Sequence, residues 1–131
     1  MKDTEDCGKF LLPYFIGRQK ETVLLLCLNA NCNVISCKEV GEGEINAAVI
    51  SFRRIVEIAL AEKASTVVLA HNHPSGVALP SHEDVVVTQR LAAALAAVDV
   101  TLFDHLIIAD DDYVSLVQSG LYAPGNNNAY L

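Results

Sequence analysis

One uninterrupted apolar run, Glu21-Thr-Val-Leu-Leu-Leu-Cys-Leu28, restricts the possible folds of this chain more than any other feature. A continuous apolar stretch with a β-branched start is typical of a buried strand. Residues 29–31 are turn material, and residues 34–39 have the pattern of a returning strand. We therefore expect a β-hairpin in this part of the chain.

Two stretches with helical periodicity follow the hairpin. The second is expected to form a helix from Ser81 to about residue 97. A shorter helix is expected within residues 3–17, where Pro13 limits its length. The first of the two stretches after the hairpin predicts a helix that ends near Lys63, because its apolar residues fall on one helical face. These residues are Ile45, Ala48, Val49, Phe52, Ile55, Val56, Ala59 and Leu60.

Short strands alternate with these helices, giving the order α-β-β-α-β-α-β-β. Helices separated by strands indicate an α/β fold, in which a mixed β-sheet is flanked by helices. Strands are predicted at residues 66–70, 100–103, 106–109 and 113–117, with loops at 41–44 and 71–80 and a turn at 110–112.

The length and composition fit one compact domain, since 131 residues with 52% hydrophobic content provide a substantial core. No run of about 20 apolar residues predicts a membrane span. The first ten residues lack the basic start and apolar run of a secretory signal, so we expect a cytoplasmic protein. The four cysteines form no Cys-x-x-Cys pair and are expected to be reduced, small apolar residues in or near strands.

The charge balance counts against unaided binding to nucleic acid. Sixteen acidic residues face nine basic ones, and the net charge is −7. Proteins that bind phosphates usually carry a basic patch, and the densest basic group here is Arg53-Arg54. We therefore expect no nucleic-acid partner for this domain alone.

The segment between the strand at 66–70 and the next helix predicts a metal site. His71 and His73 are two residues apart, so in an extended segment both side chains point the same way. Ser81 stands at the expected helix start, and Asp84 follows in the first turn, which brings it back toward the strand end. Two histidines and one carboxylate leave the fourth tetrahedral position open, as in a catalytic zinc site.

Structural explanations exist for parts of this pattern. Ser81-x-x-Asp84 resembles a helix capping box, and a His-x-His pair alone is often incidental. The two patterns together, between a buried strand and a helix, favour the metal site. His82 is interpreted as a solvated helix residue, and His105 as a structural residue or one that supports the site without binding the ion.

The string His71-x-His73, seven residues, Ser81, two residues, Asp84 resembles the JAMM motif of the MPN/JAB metalloprotease superfamily. The surrounding sequence is similar to the RadC family over about residues 18–120, which leaves residues 1–17 as a helical lead-in and 121–131 as a flexible tail. The segments that carry this resemblance are Leu-Ala-His-Asn-His-Pro-Ser-Gly, Asp-His-Leu-Ile-Ile-Ala-Asp and Tyr-Val-Ser-Leu.

The resemblance implies a cytidine-deaminase-like α/β sandwich of the JAB/MPN type, with zinc bound by the two histidines and Asp84. It also implies a general acid/base carboxylate at the start of the first strand, which falls on Glu21. Ser81 would then donate its hydroxyl toward the developing oxyanion.

The chain departs from the RadC pattern in two places. RadC-like sequences commonly have Pro-Arg-Glu early in the long helix, where this chain has Phe52-Arg53-Arg54, so a base replaces an acid. They also usually carry an N-terminal helix-hairpin-helix region that this sequence does not include. We expect the chain to be either a fragment of a longer protein or a short member of the family.

Several functions remain open at this point. The first is a zinc hydrolase that cleaves a peptide or isopeptide bond in a peptide or protein substrate. The alternative is a non-enzymatic DNA-repair-associated or protein-interaction module that retains the metal site. A nucleobase deaminase is disfavoured, because its H-x-E and P-C-x-x-C signatures are missing.

Overall fold

The computed structural model describes residues 1–43, 50–74 and 76–125 of the chain. The described residues form a mixed sheet with helices, which confirms the predicted α/β fold. The elements are α1 (Thr4–Phe15), β1 (Thr22–Leu28), β2 (Val34–Glu42), α2 (Phe52–Ala61), β3 (Thr66–Asn72), α3 (His82–Ala96), β4 (Thr101–Ala109) and β5 (Asp112–Ser115).

The five strands lie in the order β2-β1-β3-β4-β5. Strand β1 is antiparallel to both of its neighbours, and β4 is antiparallel to β5. Strands β3 and β4 are parallel, and helix α3 is the crossover between them. Strand β1 is buried along its whole length, as its unbroken apolar sequence predicted.

Each face of the sheet supports its own apolar core. Helices α2 and α3 pack on one face, where Ile55 and Leu91 meet Val23 and Leu69 of the central strands. Helix α1 packs on the other face through a second cluster that includes Leu11. Side chains alternate between the two faces along each strand. None of the helices in the described residues is long and apolar enough to span a membrane.

The predicted strands at 100–103 and 106–109 are a single strand, β4. The sequence suggested a break because Asp104 and His105 interrupt the apolar pattern. Both side chains are completely buried instead. The Asp104 carboxylate accepts hydrogen bonds from the Thr4 hydroxyl at 2.8 Å and from the Ser115 hydroxyl. These long-range partners allow two polar residues to continue the strand through the core.

Other boundaries also differ from the prediction. Strand β2 extends to Glu42, so the predicted loop at 41–44 begins later. Helix α2 begins at Phe52 because the Ser51 hydroxyl caps it, accepting from the backbone N–H of Arg54 at 3.1 Å. The predicted helical residues 45–49 lie outside the described residues. Helix α1 continues past the exposed Pro13 to Phe15, which is buried against the sheet.

Candidate metal centre

The two predicted histidine ligands stand at the end of β3. His71 is the penultimate residue of the strand and lies opposite Val23 of β1. The backbone N–H of His73 donates to the carbonyl oxygen of Ile108 at 2.8 Å, which continues the pairing with β4 beyond the end of the strand. The chain is therefore still extended at His73, and both imidazoles leave the same side of it, as the spacing predicted.

Helix α3 brings the predicted carboxylate to the same point. Ser81 caps the helix, and its hydroxyl oxygen accepts from the backbone N–H of Asp84 at 3.0 Å. The Asp84 carboxylate accepts in return from the backbone N–H of Ser81 at 2.7 Å. This capping box fixes the side-chain direction of Asp84 at the start of the helix. The structural explanation of the Ser-x-x-Asp pattern thus holds alongside the metal hypothesis.

The three predicted metal ligands meet in a small volume. The Nε2 atoms of His71 and His73 are 2.9 Å apart. One Asp84 carboxylate oxygen lies 3.4 Å from Nε2 of His71, and the other lies 4.0 Å from Nε2 of His73. Two imidazole nitrogens and a carboxylate this close together are groups that can hold a metal ion.

The hydrogen bonding of His73 tests whether a cation suits this group. Its Nδ1 atom lies 2.9 Å from the carbonyl oxygen of Val77. A carbonyl oxygen only accepts hydrogen bonds, so Nδ1 carries a proton, and a ring that holds only this proton presents a lone pair at Nε2. At most one hydrogen, from His71, can then lie between the two facing Nε2 atoms. A bare lone pair beside a carboxylate is the donor arrangement that a cation would satisfy.

A third histidine, His105, lies behind His71. Its Nε2 atom is 2.8 Å from Nδ1 of His71, and its Nδ1 atom is 2.6 Å from the hydroxyl oxygen of Thr88. Ligand atoms of His71, Asp84 and His105 all lie within 4.8 Å of one another, so these residues form a second set that could hold an ion. The sequence had indicated His105 as a structural or supporting residue, whereas Thr88 gave no signal.

Burial keeps the inner histidines neutral. Desolvation lowers the pKa of His71 well below its usual value, with further contributions from the positive charges that His105 and His73 would carry. Desolvation and the neighbouring His73 lower the pKa of His105 to about 3. Both rings are therefore uncharged near neutral pH and can offer lone pairs.

The predicted acid/base residue, Glu21, immediately precedes β1. Its backbone carbonyl accepts from the N–H of Gly43 at 2.9 Å, so this part of the chain is still paired with the neighbouring strand. Alternation puts Glu21 on the same side as Val23, and hence on the side of His71. Among the ion pairs between described residues, none joins Glu21 to His71 or His73.

The centre has a buried side and an open side. The side chains of His71 and Asp84 are 1% and 2% exposed, whereas that of His73 is 21% exposed. His73 also lines a cleft of about 670 Å³ between the α1–β1 connection and the β4–β5 turn. His73 is therefore the most accessible of the three predicted ligands.

Two further residues from the sequence analysis lie on the surface. His82 is the first residue of α3 and is exposed, in agreement with its interpretation as a solvated helix residue. Arg54, the residue at a usually acidic position, is exposed in the first turn of α2.

The sequence of this chain matches the family described as RadC-like JAB domain over residues 1–121. It is also similar to bacterial proteins named UPF0758. It is 42% identical to one from Saccharophagus degradans over 120 residues, which are 92% of this chain and 54% of that protein. A relative from Stenotrophomonas maltophilia is 39% identical over 117 residues, 89% of this chain and 50% of its own length.

A third UPF0758 protein, from Shewanella woodyi, is 37% identical over 120 residues, which cover 92% of this chain and 53% of the relative. The chain thus spans about half the length of the curated relatives it matches. The names of these relatives state no activity or substrate.

Proposed function

Because the chain belongs to the RadC-like JAB domain family, we propose that it is a zinc-dependent hydrolase of the JAMM type that cleaves peptide or isopeptide amide bonds. The convergence of His71, His73 and Asp84 on one point supports this proposal most strongly. Two imidazoles and one carboxylate suit zinc and leave one coordination position free, as catalytic zinc sites require. When bound, zinc would supply Lewis acidity for the scissile carbonyl and lower the pKa of the attacking water.

Glu21 is proposed to accept the proton of the attacking water and to deliver it to the leaving amine. Its position on the same side of the sheet as His71 supports this role. The nitrogen must gain this proton because a neutral amine is a far better leaving group than the corresponding amide anion.

Ser81 is proposed to donate its hydroxyl to the developing oxyanion. Its oxygen is the acceptor in the helix cap, where the backbone N–H of Asp84 is the donor. That contact does not use the hydroxyl hydrogen of Ser81, which can point toward a substrate. Ser81 is also exposed, so a substrate oxygen can reach it.

The proposed substrate is a peptide or protein segment that enters through the cleft beside His73. The cleft has a volume of about 670 Å³ and combines apolar and charged lining groups. These groups include Phe15, Ile16, Arg18, Ile108, Asp110 and Asp111.

The test is hydrolysis of peptide and lysine-isopeptide panels by the zinc-loaded protein, followed by mass spectrometry of the new carboxyl and amine ends. We expect cleavage that a chelator abolishes and zinc restores, with one oxygen from labelled water in each new carboxylate. Glu21→Gln should keep the zinc and lower the rate by about 100-fold or more, since general acid/base catalysis contributes that much.

A matched control is Glu42→Gln, which removes an exposed carboxylate near the same end of the sheet and should leave the rate unchanged. No cleavage of either panel by fully zinc-loaded protein would contradict the proposal. The non-enzymatic DNA-repair-associated or protein-interaction module would then become the better account. The cytoplasmic location inferred from the sequence stays a prediction.

A further inference from the structure

A chain of polar contacts runs from His71 into the interior of the protein. Nδ1 of His71 is 2.8 Å from Nε2 of His105, and Nδ1 of His105 is 2.6 Å from the Thr88 hydroxyl oxygen. The same hydroxyl oxygen is 2.6 Å from the backbone carbonyl oxygen of Asp84. All four residues are buried, so each polar atom in this series of contacts needs its protein partner to satisfy its hydrogen bonding.

The contact between the Thr88 hydroxyl and the Asp84 carbonyl determines which atom is the donor in each of the other contacts. A carbonyl oxygen cannot donate, so the single hydroxyl hydrogen of Thr88 is used in its bond to Asp84. The Thr88 oxygen must then accept from His105, whose proton is therefore on Nδ1. A neutral imidazole with its proton on Nδ1 has a lone pair on Nε2.

His71 is the next member of the chain. Because Nε2 of His105 accepts, Nδ1 of His71 must donate and carries the only proton of the neutral ring. Nε2 of His71 is then a bare lone pair, and it faces the bare Nε2 of His73 at 2.9 Å. Nε2 of His71 therefore offers its lone pair toward His73 and the Asp84 carboxylate, where a cation would accept it.

We infer that Thr88 and His105 are positioning residues that hold His71 in its Nδ1–H tautomer, so that Nε2 is permanently available to the metal ion. This inference rests on the metal site of the proposed function. Histidine ligands commonly depend on a partner at the second ring nitrogen for their orientation and basicity. Here that partner is another histidine, and its own tautomer is set by a threonine on the ligand-bearing helix.

We call the hydrogen bonds that link Asp84, Thr88, His105 and His71 the relay. The relay also decides between the two sets of residues that could bind the ion, one with His73 and the other with His105. His71 and His105 share a proton between Nδ1 and Nε2, so that pair of nitrogens has no lone pairs left for an ion. His71 and His73 share none. The ion therefore belongs with His71, His73 and Asp84, and His105 supports it from behind.

The geometry of α3 links the relay to the third ligand. Thr88 follows Asp84 by one helical turn, so the threonine hydroxyl reaches the carbonyl of the residue whose carboxylate faces the ion. Movement of the first turn of α3 would disturb Asp84 and the tautomer of His71 together.

The first test is nitrogen-15 NMR of the imidazole side chains in the metal-free wild-type protein, which reads each tautomer directly. We expect a protonated Nδ1 and an unprotonated Nε2 in both His71 and His105. A proton on Nε2 of His71 would overturn the inference, and this measurement needs no variant to fold.

The second test is zinc affinity by competition with a chelator. Thr88→Val keeps the shape of the side chain but removes the hydroxyl, and should weaken zinc binding about tenfold to 100-fold. Thr88→Ser should restore the wild-type affinity. Thr4→Val is the matched control, because it removes another buried hydroxyl, which donates to Asp104 at 2.8 Å, and should leave zinc affinity unchanged.

If Thr88→Val bound zinc as tightly as the wild type, the role of the relay would be refuted while the metal site itself would stand. Failure of the wild type to bind zinc would instead defeat the proposed function. The tautomers in the metal-free protein would still decide the relay, so the two failures are distinguishable.

Discussion

The side-chain oxygen of Asn72 accepts a hydrogen bond from the backbone N–H of Thr22 at 2.6 Å. The amide nitrogen of the same side chain donates to the carbonyl oxygen of Lys20 at 3.1 Å. Asn72 thus binds the two peptide groups on either side of Glu21. Asn72 lies between the two histidines in the sequence, and its side chain points away from them. It holds Glu21, the proposed acid/base residue, in place.

We predict that Asn72→Ala will release the start of β1. The buried N–H of Thr22 loses its acceptor, so the free energy of unfolding should fall by roughly 1–3 kcal/mol. Hydrogen exchange at the Thr22 amide should accelerate, and hydrolysis should slow while zinc affinity is retained.

Asn29→Ala is the control for this prediction. The Asn29 side chain accepts from the backbone N–H groups of Asn31 and Asn33 at 2.9 and 3.0 Å, at the opposite end of β1. Its loss should lower stability without slowing hydrolysis. Equal loss of activity in both variants would contradict the positioning of Glu21 by Asn72.

The contact between Gly8 and Tyr113 predicts an unusual helix substitution. Ala is normally more favourable than Gly inside a helix by about 1 kcal/mol. A Cβ atom at Gly8 would lie only 2.6 Å from Cζ of the Tyr113 ring, so α1 or the ring must move. Gly8→Ala should therefore lower the free energy of unfolding by roughly 1–3 kcal/mol, as overpacking does.

The same substitution in a Tyr113→Ala background meets no ring, and there it should stabilise the protein. Denaturant unfolding of the four proteins in this double-mutant cycle measures the change of sign. A stabilising effect in both backgrounds would mean that α1 does not pack against β5 in this way.

Arg54 gives a prediction of increased stability. The first turn of α2 contains no acidic residue, and Ser51 already accepts from the backbone N–H of Arg54. Arg54→Glu would complete a capping box and complement the helix dipole, adding about 0.5–1 kcal/mol to the free energy of unfolding. Arg54→Leu is the control, because it removes the positive charge and the guanidinium contact with the Glu39 carbonyl oxygen, as Arg54→Glu does, without adding a carboxylate. Equal stability of the two variants would contradict this explanation.

Stability should also fall at alkaline pH. Burial raises the pKa of Cys7 and that of Cys37 from 9.0 to about 11. The folded state therefore holds protons that the unfolded state releases, so their contribution to stability is complete below pH 9 and is lost between about pH 9 and 11. Thermal melts across this range should show a slope that Cys7→Ala reduces and that substitution of the exposed Cys32 does not.

Local sequence patterns predicted the parts of the fold that local interactions determine. The continuous apolar run predicted β1. The His-x-His spacing and the capping signal predicted that the side chains of His71, His73 and Asp84 lie close together. The interpretation of residues 100–109 as two strands was wrong, because Asp104 and His105 are polar residues stabilised by distant partners. Thr4 lies 100 residues away along the chain from Asp104, and no local pattern reveals such a contact.

The same limitation applies to the support of the candidate site. Thr88 is an ordinary helix residue in the sequence, and its contact with His105 exists only because α3 packs on β4. Asn72 was visible only as the spacer between two histidines, and its bonds to the start of β1 depend on strand pairing. The candidate ligands could be predicted from spacing and His105 could be singled out as a supporting residue, whereas the roles of Thr88 and Asn72 could not be predicted.

The most direct test of the central claim is the zinc content of protein purified without added metal, measured by elemental analysis. The wild type and His82→Ala, which changes an exposed histidine of the same loop–helix junction, should each contain about one zinc per chain, and His73→Ala should contain almost none. A wild type that takes up no zinc even when it is offered, or a His73→Ala variant that retains it fully, would contradict a metal site built from His71, His73 and Asp84.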